Sequence, residues 1–373
     1  MNGDRAMPGE KAHPAPADRA DLAQHGLTRH FGGLVHGSLR SSAPPRLSDL
    51  GTFNYWWLAH AVEVRLDAYE RSGCPGWLHL AEKTYTGIRR RNRGSLFNDY
   101  FDDMSWLAIA AVRLFDATHK ARYLADAEAL WRHIMSRGFS TDHIAAIGWR
   151  RQQRHYANAP TNGAFGIVSA RLFERTGSKA QLAFAESSLA FLDTVLRDPE
   201  SGFLADGLNR TGDGTLDADW RFSYNQGLYL GVQLEAFART SDRCHLEAAL
   251  RTALSTIALL APAGVITAEN VNRSARGGAD IGLFKGIFYR YASDLARHPA
   301  ARADPASADH ARSLESFVID STDQLWQTFE PSLLAADDWR LFPTGSAALS
   351  TELSAVMALE ARARLEQAPA TPH

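Results

Sequence analysis

Six segments of this chain open in the same way, and their spacing limits the fold more than any single motif. The openings are Phe53-Asn54-Tyr55-Trp56-Trp57, Asp102-Asp103-Met104-Ser105-Trp106, Thr161-Asn162-Gly163-Ala164-Phe165, Ser223-Tyr224-Asn225-Gln226-Gly227, Gly282-Leu283-Phe284-Lys285-Gly286 and Gly345-Ser346-Ala347-Ala348. Each starts with small, aromatic or amide residues and then turns apolar nearly all round. Successive openings lie 49, 59, 62, 59 and 63 residues apart. Self-similarity at a steady interval marks a repeat architecture. Six further segments alternate with these. They keep helical periodicity but carry more charge, residues 121–132 being an amphipathic example. Strand-like alternation is scarce, and no βαβ pattern is present.

Apolar spacing and Gly/Pro breaks predict twelve helices, paired as 18–31 with 53–72, 76–90 with 102–118, 121–136 with 161–176, 178–197 with 223–240, 243–260 with 282–298, and 307–329 with 345–367. A helix that is apolar all round is buried, whereas one with a polar stripe faces solvent. Six of each kind make an inner and an outer ring, an all-α (α/α)6 barrel. The long loops 137–160, 198–222, 261–281 and 330–344 each run from an outer helix to the next inner one. They therefore gather at one end, beside the inner-helix N-termini, where function is expected. An open solenoid is the alternative, but its repeats are shorter and their signatures lie within the helices. The expected organisation is a tail over 1–17, one domain over 18–367 and a short tail over 368–373.

Composition narrows the function. A formal net charge of −2 gives no drive toward nucleic acid or an anionic membrane. Cys74 and Cys244 are the two cysteines, too few for a disulfide framework. Residues 1–18 are rich in Pro, Ala and charge and lack the apolar core of a secretion signal, and no 18-residue apolar run is long enough to span a membrane. The expected location is therefore the cytoplasm, unless the chain is the mature form of a secreted protein. No metal-site, phosphate-loop or nucleophile-elbow motif is present, so no cofactor or metal is expected.

The end that collects the loops also collects the chemistry. Asp102 and Asp103 stand side by side at a helix start, flanked by aromatic rings. Two such carboxyls can divide the work of cleaving a glycosidic bond: one protonates the leaving oxygen, and the other attacks or activates water. A plainer role is helix capping and attraction to the helix N-terminus. Candidate binding residues at the same end are Asn54, Trp56, Trp57, Trp106, Trp149, Tyr156, Asn158, Thr161, Asn162, Asp206, Tyr224, Asn225, Gln226, Phe284 and Lys285. Aromatic faces suit sugar C–H faces, and amides and charges suit hydroxyls. Trp56 and Trp57 cannot both face inward. Asn158, Thr161 and Asn225 also suit capping, Asp206-Gly207 suits a turn, and Lys285 can serve only to neutralise a carboxylate. Asp337, Asp338, Trp339 and Arg340 are late candidates, and His60 and His155 fall near the same end.

Five of these strings, in this order, resemble glycoside hydrolase family 76, the bacterial α-1,6-mannanases. They are Tyr55-Trp56-Trp57, the run Asn98 to Trp106, the run Tyr156 to Gly163, Tyr224-Asn225-Gln226-Gly227 and the run Phe284 to Tyr291. The likeness spans about residues 22–366. It implies an (α/α)6 barrel and retaining hydrolysis of α-1,6-linked mannose, with Asp102 as nucleophile and Asp103 as acid/base. Two positions depart from the family pattern: Leu58 stands where glutamine is usual, and Ala157 where lysine is usual. An α-mannoside, oligosaccharide or polysaccharide, is the implied partner. Without a secretion signal, short oligosaccharides are the expected substrate. The rival readings are a sugar epimerase on the same barrel, using histidine bases, and a non-catalytic binding scaffold.

Overall fold

The structure, a computed structural model, describes residues 14–140, 145–267, 269 and 280–367. The tail residues 1–13 and 368–373, and parts of the loops 137–160 and 261–281, lie outside the described residues. In chain order the α-helices are α1 (Pro16–Phe31), α2 (Tyr55–Ser72), α3 (Pro75–Arg91), α4 (Phe101–Thr118), α5 (Ala121–Gly138), α6 (Ala159–Thr176), α7 (Lys179–Phe191), α8 (Ser223–Thr240), α9 (Cys244–Leu260), α10 (Ile281–Ala296), α11 (Pro299–Ala303), α12 (Pro305–Phe329) and α13 (Leu349–Glu366). Helix α1 takes in the last two residues that the sequence reading left to the tail. Among the described residues, short α11 and a 3-10 turn over Leu47–Leu50 are additional to the expected twelve.

The inner ring consists of α2, α4, α6, α8, α10 and α13. In α4 every residue from Met104 to Val112 is buried, so no face is left for water. Each inner helix packs on the next, and α13 returns to α2 to close the ring. The small residues of the repeated openings allow this closeness. A Cβ added to Gly227 of α8 would lie 2.7 Å from the Phe288 Cα on α10, and one added to Gly286 of α10 would lie 2.7 Å from the Ser354 Cα on α13. The outer helices show the expected stripe. In α5 the buried residues Tyr123, Ala127, Leu130, Trp131 and Ile134 follow helical spacing.

The helical hairpins run the other way from the pairing drawn from sequence. Each of α3, α5, α7 and α9 packs chiefly on the inner helix before it. The reason is loop length, since short turns force antiparallel neighbours. The inner helices α2, α4, α6 and α8 end on Gly73, His119, Gly177 and Ser241, all in the left-handed conformation that terminates a helix and turns the chain. Helix α1 packs mainly on α13 and also touches α2, bridging the two ends of the ring.

Between the helices stand short strands that the periodicity did not reveal: β1 (Ser42–Ala43), β2 (Phe139–Ser140), β3 (Ala146–Arg150), β4 (Gln153–Asn158), β5 (Gly207–Leu208) and β6 (Ala347–Ala348), the last within the span 345–367 expected to be helical. At two to six residues they are too brief to show a period. Strands β2, β3, β4 and β5 form one antiparallel sheet in that order. A bridge from Tyr100 to Arg150 ties this sheet to the start of α4. Strands β1 and β6 pair with Ser42 opposite Ala348. Cys74 and Cys244 are free and exposed. Among the described residues no helix is long and apolar enough to cross a membrane.

Candidate active site

Asp102 and Asp103 sit in the first turn of α4, whose N-cap is Tyr100. Neither aspartate is therefore the cap, although both lie where the helix N-terminus favours negative charge. Their side chains line a cleft of about 680 Å³ at the loop end of the barrel. The two carboxyls are held differently. Asp102 Oδ1 accepts the backbone N–H of Asp103 at 2.9 Å, and its Oδ2 accepts the Trp149 indole N–H at 3.0 Å. Asp103 Oδ2 accepts one donor, Asn98 Nδ2, at 2.8 Å. Among the described residues neither forms an ion pair. Burial raises the pKa of both, and Asp103 is raised further by the charge of Asp102. The pair thus favours one ionised and one protonated carboxyl, with the charge on Asp102, which has the more hydrogen-bond donors.

Trp149 is steered into place by its neighbours. It stands on β3, with Tyr100 and Tyr156 edge-on at 5.6 Å and 6.1 Å between ring centres. The Arg150 guanidinium lies 4.5 Å from its ring centre. On the other side of the cleft, Tyr224 and Phe284 stack at 3.8 Å with nearly parallel rings, and Phe222 meets Phe284 at 5.2 Å.

Of the predicted binding residues, Asn54, Trp56, Trp106, Trp149, Tyr156, Asn158, Asp206, Tyr224 and Phe284 line the cleft with the aspartate pair. Asn158 also caps α6, its Oδ1 accepting the Thr161 N–H. Asp206 is a hub within the wall. It accepts Tyr156 Oη at 2.5 Å, Arg210 Nη2 at 2.5 Å and Asn225 Nδ2 at 2.9 Å.

The others are turned away from the cleft, and most of them clamp loops. Asn162 bonds both the N–H and the carbonyl of Ile147, each at 2.9 Å, and Gln226 does the same to Leu204. Lys285 donates to the carbonyls of Ile266 and Asp337. Glu352, at the corresponding place in the last inner helix, accepts the Ala335 N–H at 3.0 Å. In α6, α8, α10 and α13 a buried polar side chain near the helix start holds the loop that precedes the helix, because a loop crossing the barrel end needs its backbone groups satisfied. Asn225 serves Asp206, Thr161 is fully buried, and Trp57 packs in the core. The late candidates also stand outside the cleft: Trp339 is core, Asp338 pairs with Arg340, and Asp337 accepts the Thr351 hydroxyl. His155 is exposed on β4. His60 lies behind the cleft, its ring 4.5 Å from Trp106 and its Nδ1 3.1 Å from Glu63 Oε2.

Asn92, a cleft residue at the end of α3, escaped the sequence reading, as did three cleft residues from the loops: Asp280, Arg210 and Trp220. The Arg210 guanidinium lies 3.6 Å from the Trp220 ring centre and pairs with Asp206 and Asp217. All three lie in irregular segments ahead of inner helices and belong to no repeated string. The weak available signal was the length of the loops themselves.

A closed ring of buried helices, with an acidic and aromatic cleft at its loop end, defines a carbohydrate-active (α/α)6 barrel of the glycoside hydrolase class. The comparisons place it within that class. The sequence model described as Glycosyl hydrolase family 76 matches residues 17–339, and the chain belongs to this family. Among solved structures, the Lin0763 protein of Listeria innocua is 38% identical, with a TM-score of 0.85 over 94% of this chain and 97% of that one. The GH76A α-1,6-mannanase of Salegentibacter sp. HEL1_6 is 31% identical, with a TM-score of 0.84 over 94% of this chain and 100% of that one. A variant of that mannanase described as inactive, with two adjacent aspartates replaced, is in complex with α-1,6-mannotriose and is 30% identical, with a TM-score of 0.84 over 94% and 100% of the two chains. No curated protein sequence matches the chain significantly.

Proposed function

We propose that the protein is a retaining glycosidase that cleaves α-1,6-mannosidic linkages in oligosaccharides. The observation that carries this reading is the unequal treatment of two neighbouring carboxyls in one cleft. Asp102, with two N–H donors, is suited to remain ionised and attack the anomeric carbon. Asp103, with one donor and the Asp102 charge beside it, is suited to hold a proton. In the first step Asp103 gives its proton to the glycosidic oxygen as that bond breaks, and Asp102 forms a covalent glycosyl ester. In the second, Asp103 takes a proton from water, which attacks the anomeric carbon and releases Asp102. Two inversions give net retention.

The mannanase variant described as inactive supports the same pair. This chain has two adjacent aspartate pairs, 102–103 and 337–338. Of these, 102–103 lines the cleft and 337–338 does not. Among the described residues the charged groups lining the cleft are Asp99, Asp102, Asp103, Asp206, Asp280 and Arg210, and Arg210 is already paired. Such a cleft disfavours anionic sugars and suits a neutral one. The epimerase alternative loses its base, because His60 is buried behind Trp106 and burial holds its pKa down. The test is NMR of the first product released from α-1,6-mannotriose. An α-anomer is expected. A β-anomer, or no cleavage of any α-mannoside by pure protein, overturns the proposal.

A further inference from the structure

Asp280, immediately ahead of α10, is a further carboxylate in the cleft. Its Oδ1 accepts two indole N–H groups at once, from Trp57 at 2.9 Å and from Trp56 at 3.2 Å. Both donors come from the opening of α2, so Asp280 links the fifth inner helix to the first. This explains how two neighbouring tryptophans serve one site although only Trp56 lines the cleft. Burial raises the pKa of this carboxyl, and the two N–H donors on one oxygen oppose that rise by stabilising the ionised form and also fix its orientation. Among the described residues Oδ2 has no protein donor, and it is the oxygen left for a ligand. A carboxylate oxygen in this position can only accept hydrogen bonds, and a sugar hydroxyl is a suitable donor.

The charge of Asp280 also bears on the catalytic pair. It faces Asp102 and Asp103 and contributes to the upward shift of both. Among the described residues the other charged groups lining the cleft do not offset it. Asp99 and Asp206 are acidic, and Arg210 is bound to Asp206 and Asp217. Lys285, on the same helix, is directed to the Ile266 and Asp337 carbonyls.

We propose that Asp280 is a positioning and specificity residue: its Oδ2 accepts hydroxyl groups of the sugar held beside Asp102 and Asp103, and its charge helps keep the proton on Asp103. The proposal rests on the α-1,6-mannosidase reading above. It predicts a combination that a structural residue would not give. In Asp280→Asn the amide oxygen still accepts both indoles, so the melting temperature should stay at the wild-type value. KM for α-1,6-mannotriose should rise about tenfold, the value of one hydrogen bond to a charged acceptor. The alkaline limb of kcat/KM should move to lower pH, because removing a nearby negative charge makes Asp103 easier to ionise. Asp280→Ala should show a larger rise in KM. If wild type cleaves the trisaccharide while KM and the alkaline limb of Asp280→Asn match it, this proposal falls and the substrate reading stands. A drop in kcat alone, with KM and the limb unmoved, marks a structural role and also overturns it. If wild type cuts no α-1,6-mannoside, the substrate reading falls first and takes this one with it.

Discussion

The two ends of the same six inner helices treat carboxylates in opposite ways. At the N-terminal end, Asp102, Asp103 and Asp280 line the cleft with N–H donors but no ion pair among the described residues. At the C-terminal end lies a second cavity of about 700 Å³, and its carboxylates are interleaved with arginines. There Arg113 bonds Asp67 and Glu70 at 2.8 Å each, and Arg290 holds Glu63 at 2.5 Å and Asp67 at 2.6 Å. Arg171 pairs with Glu235 at 2.6 Å. Helix C-termini carry partial negative charge, so arginine suits that end. The consequence is chemical. Burial pushes the cleft carboxyls up, whereas the arginines hold Glu63 and Asp67 down despite burial. One end keeps acids poised to exchange protons, and the other locks them as structural anions.

The strongest way to break this contrast is to neutralise one acid at each end. Asp103→Asn should cost about 10²–10⁴-fold in kcat, the range of general acid–base help, and Asp102→Asn at least as much. Neither should lower the melting temperature, because neither removes an ion pair. Near wild-type turnover in either variant would remove that residue from the chemistry. Asp67→Asn should do the reverse. It leaves Arg113 and Arg290 short of a partner and should cost about 3–5 kcal/mol of stability in denaturant unfolding. Turnover per folded molecule should stay close to wild type. If this variant unfolds at the wild-type midpoint, the lower network is not holding the barrel together.

Acid titration sharpens the same comparison without mutation. The cleft pair has raised pKa values, with Asp102 pushed up to about 7. The native state holds these protons more tightly, so the pair's contribution to stability is complete below about pH 4 and is lost as pH rises through 7. Glu63 and Asp67 are depressed, so their contribution is present above about pH 4 and is lost as pH falls below that. The acid limb of kcat/KM, which reports ionisation of the pair, should therefore lie well above the ordinary carboxylate range. A limb near pH 4 would mean that the cleft does not desolvate its acids. The smallest expected effect is Trp149→Phe, which keeps a ring but removes the N–H donor to Asp102. Turnover should fall about tenfold, and the acid limb should move to higher pH. An unmoved limb would show that this hydrogen bond does not tune the pair.

Most of the ring was legible from sequence because a buried helix and a striped helix have different patterns. The predicted span 223–240 coincides with α8, and 121–136 falls two residues short of α5. Helix pairing was less legible, since spacing does not reveal that Gly73 or His119 folds the chain back tightly. At the site, Asp102, Asp103, Trp56, Trp106, Tyr224 and Phe284 were legible because they share the repeat's opening position. Asn162, Gln226 and Lys285 share that position too, yet they serve the backbone of Ile147, Leu204 and Asp337. A one-dimensional pattern cannot tell an amide that meets a ligand from one that meets a neighbouring loop. Asp280 was invisible for the opposite reason, since its partners lie 223 and 224 residues away.

The seat of α1 against α13 constrains how the protein can be made. Gln24 bonds Glu360 across 336 residues, and Arg71 joins Glu360 to Asp21 in the same seam. A nascent chain emerges N-terminal end first, so α1 waits for its principal partner until α13 has been made. Until then five inner helices form an incomplete arc whose apolar flanks face solvent. Contacts this distant along the chain are slow to form. The final helix thus works as a latch, and cutting the chain before α13 should leave an aggregation-prone open arc instead of a smaller barrel.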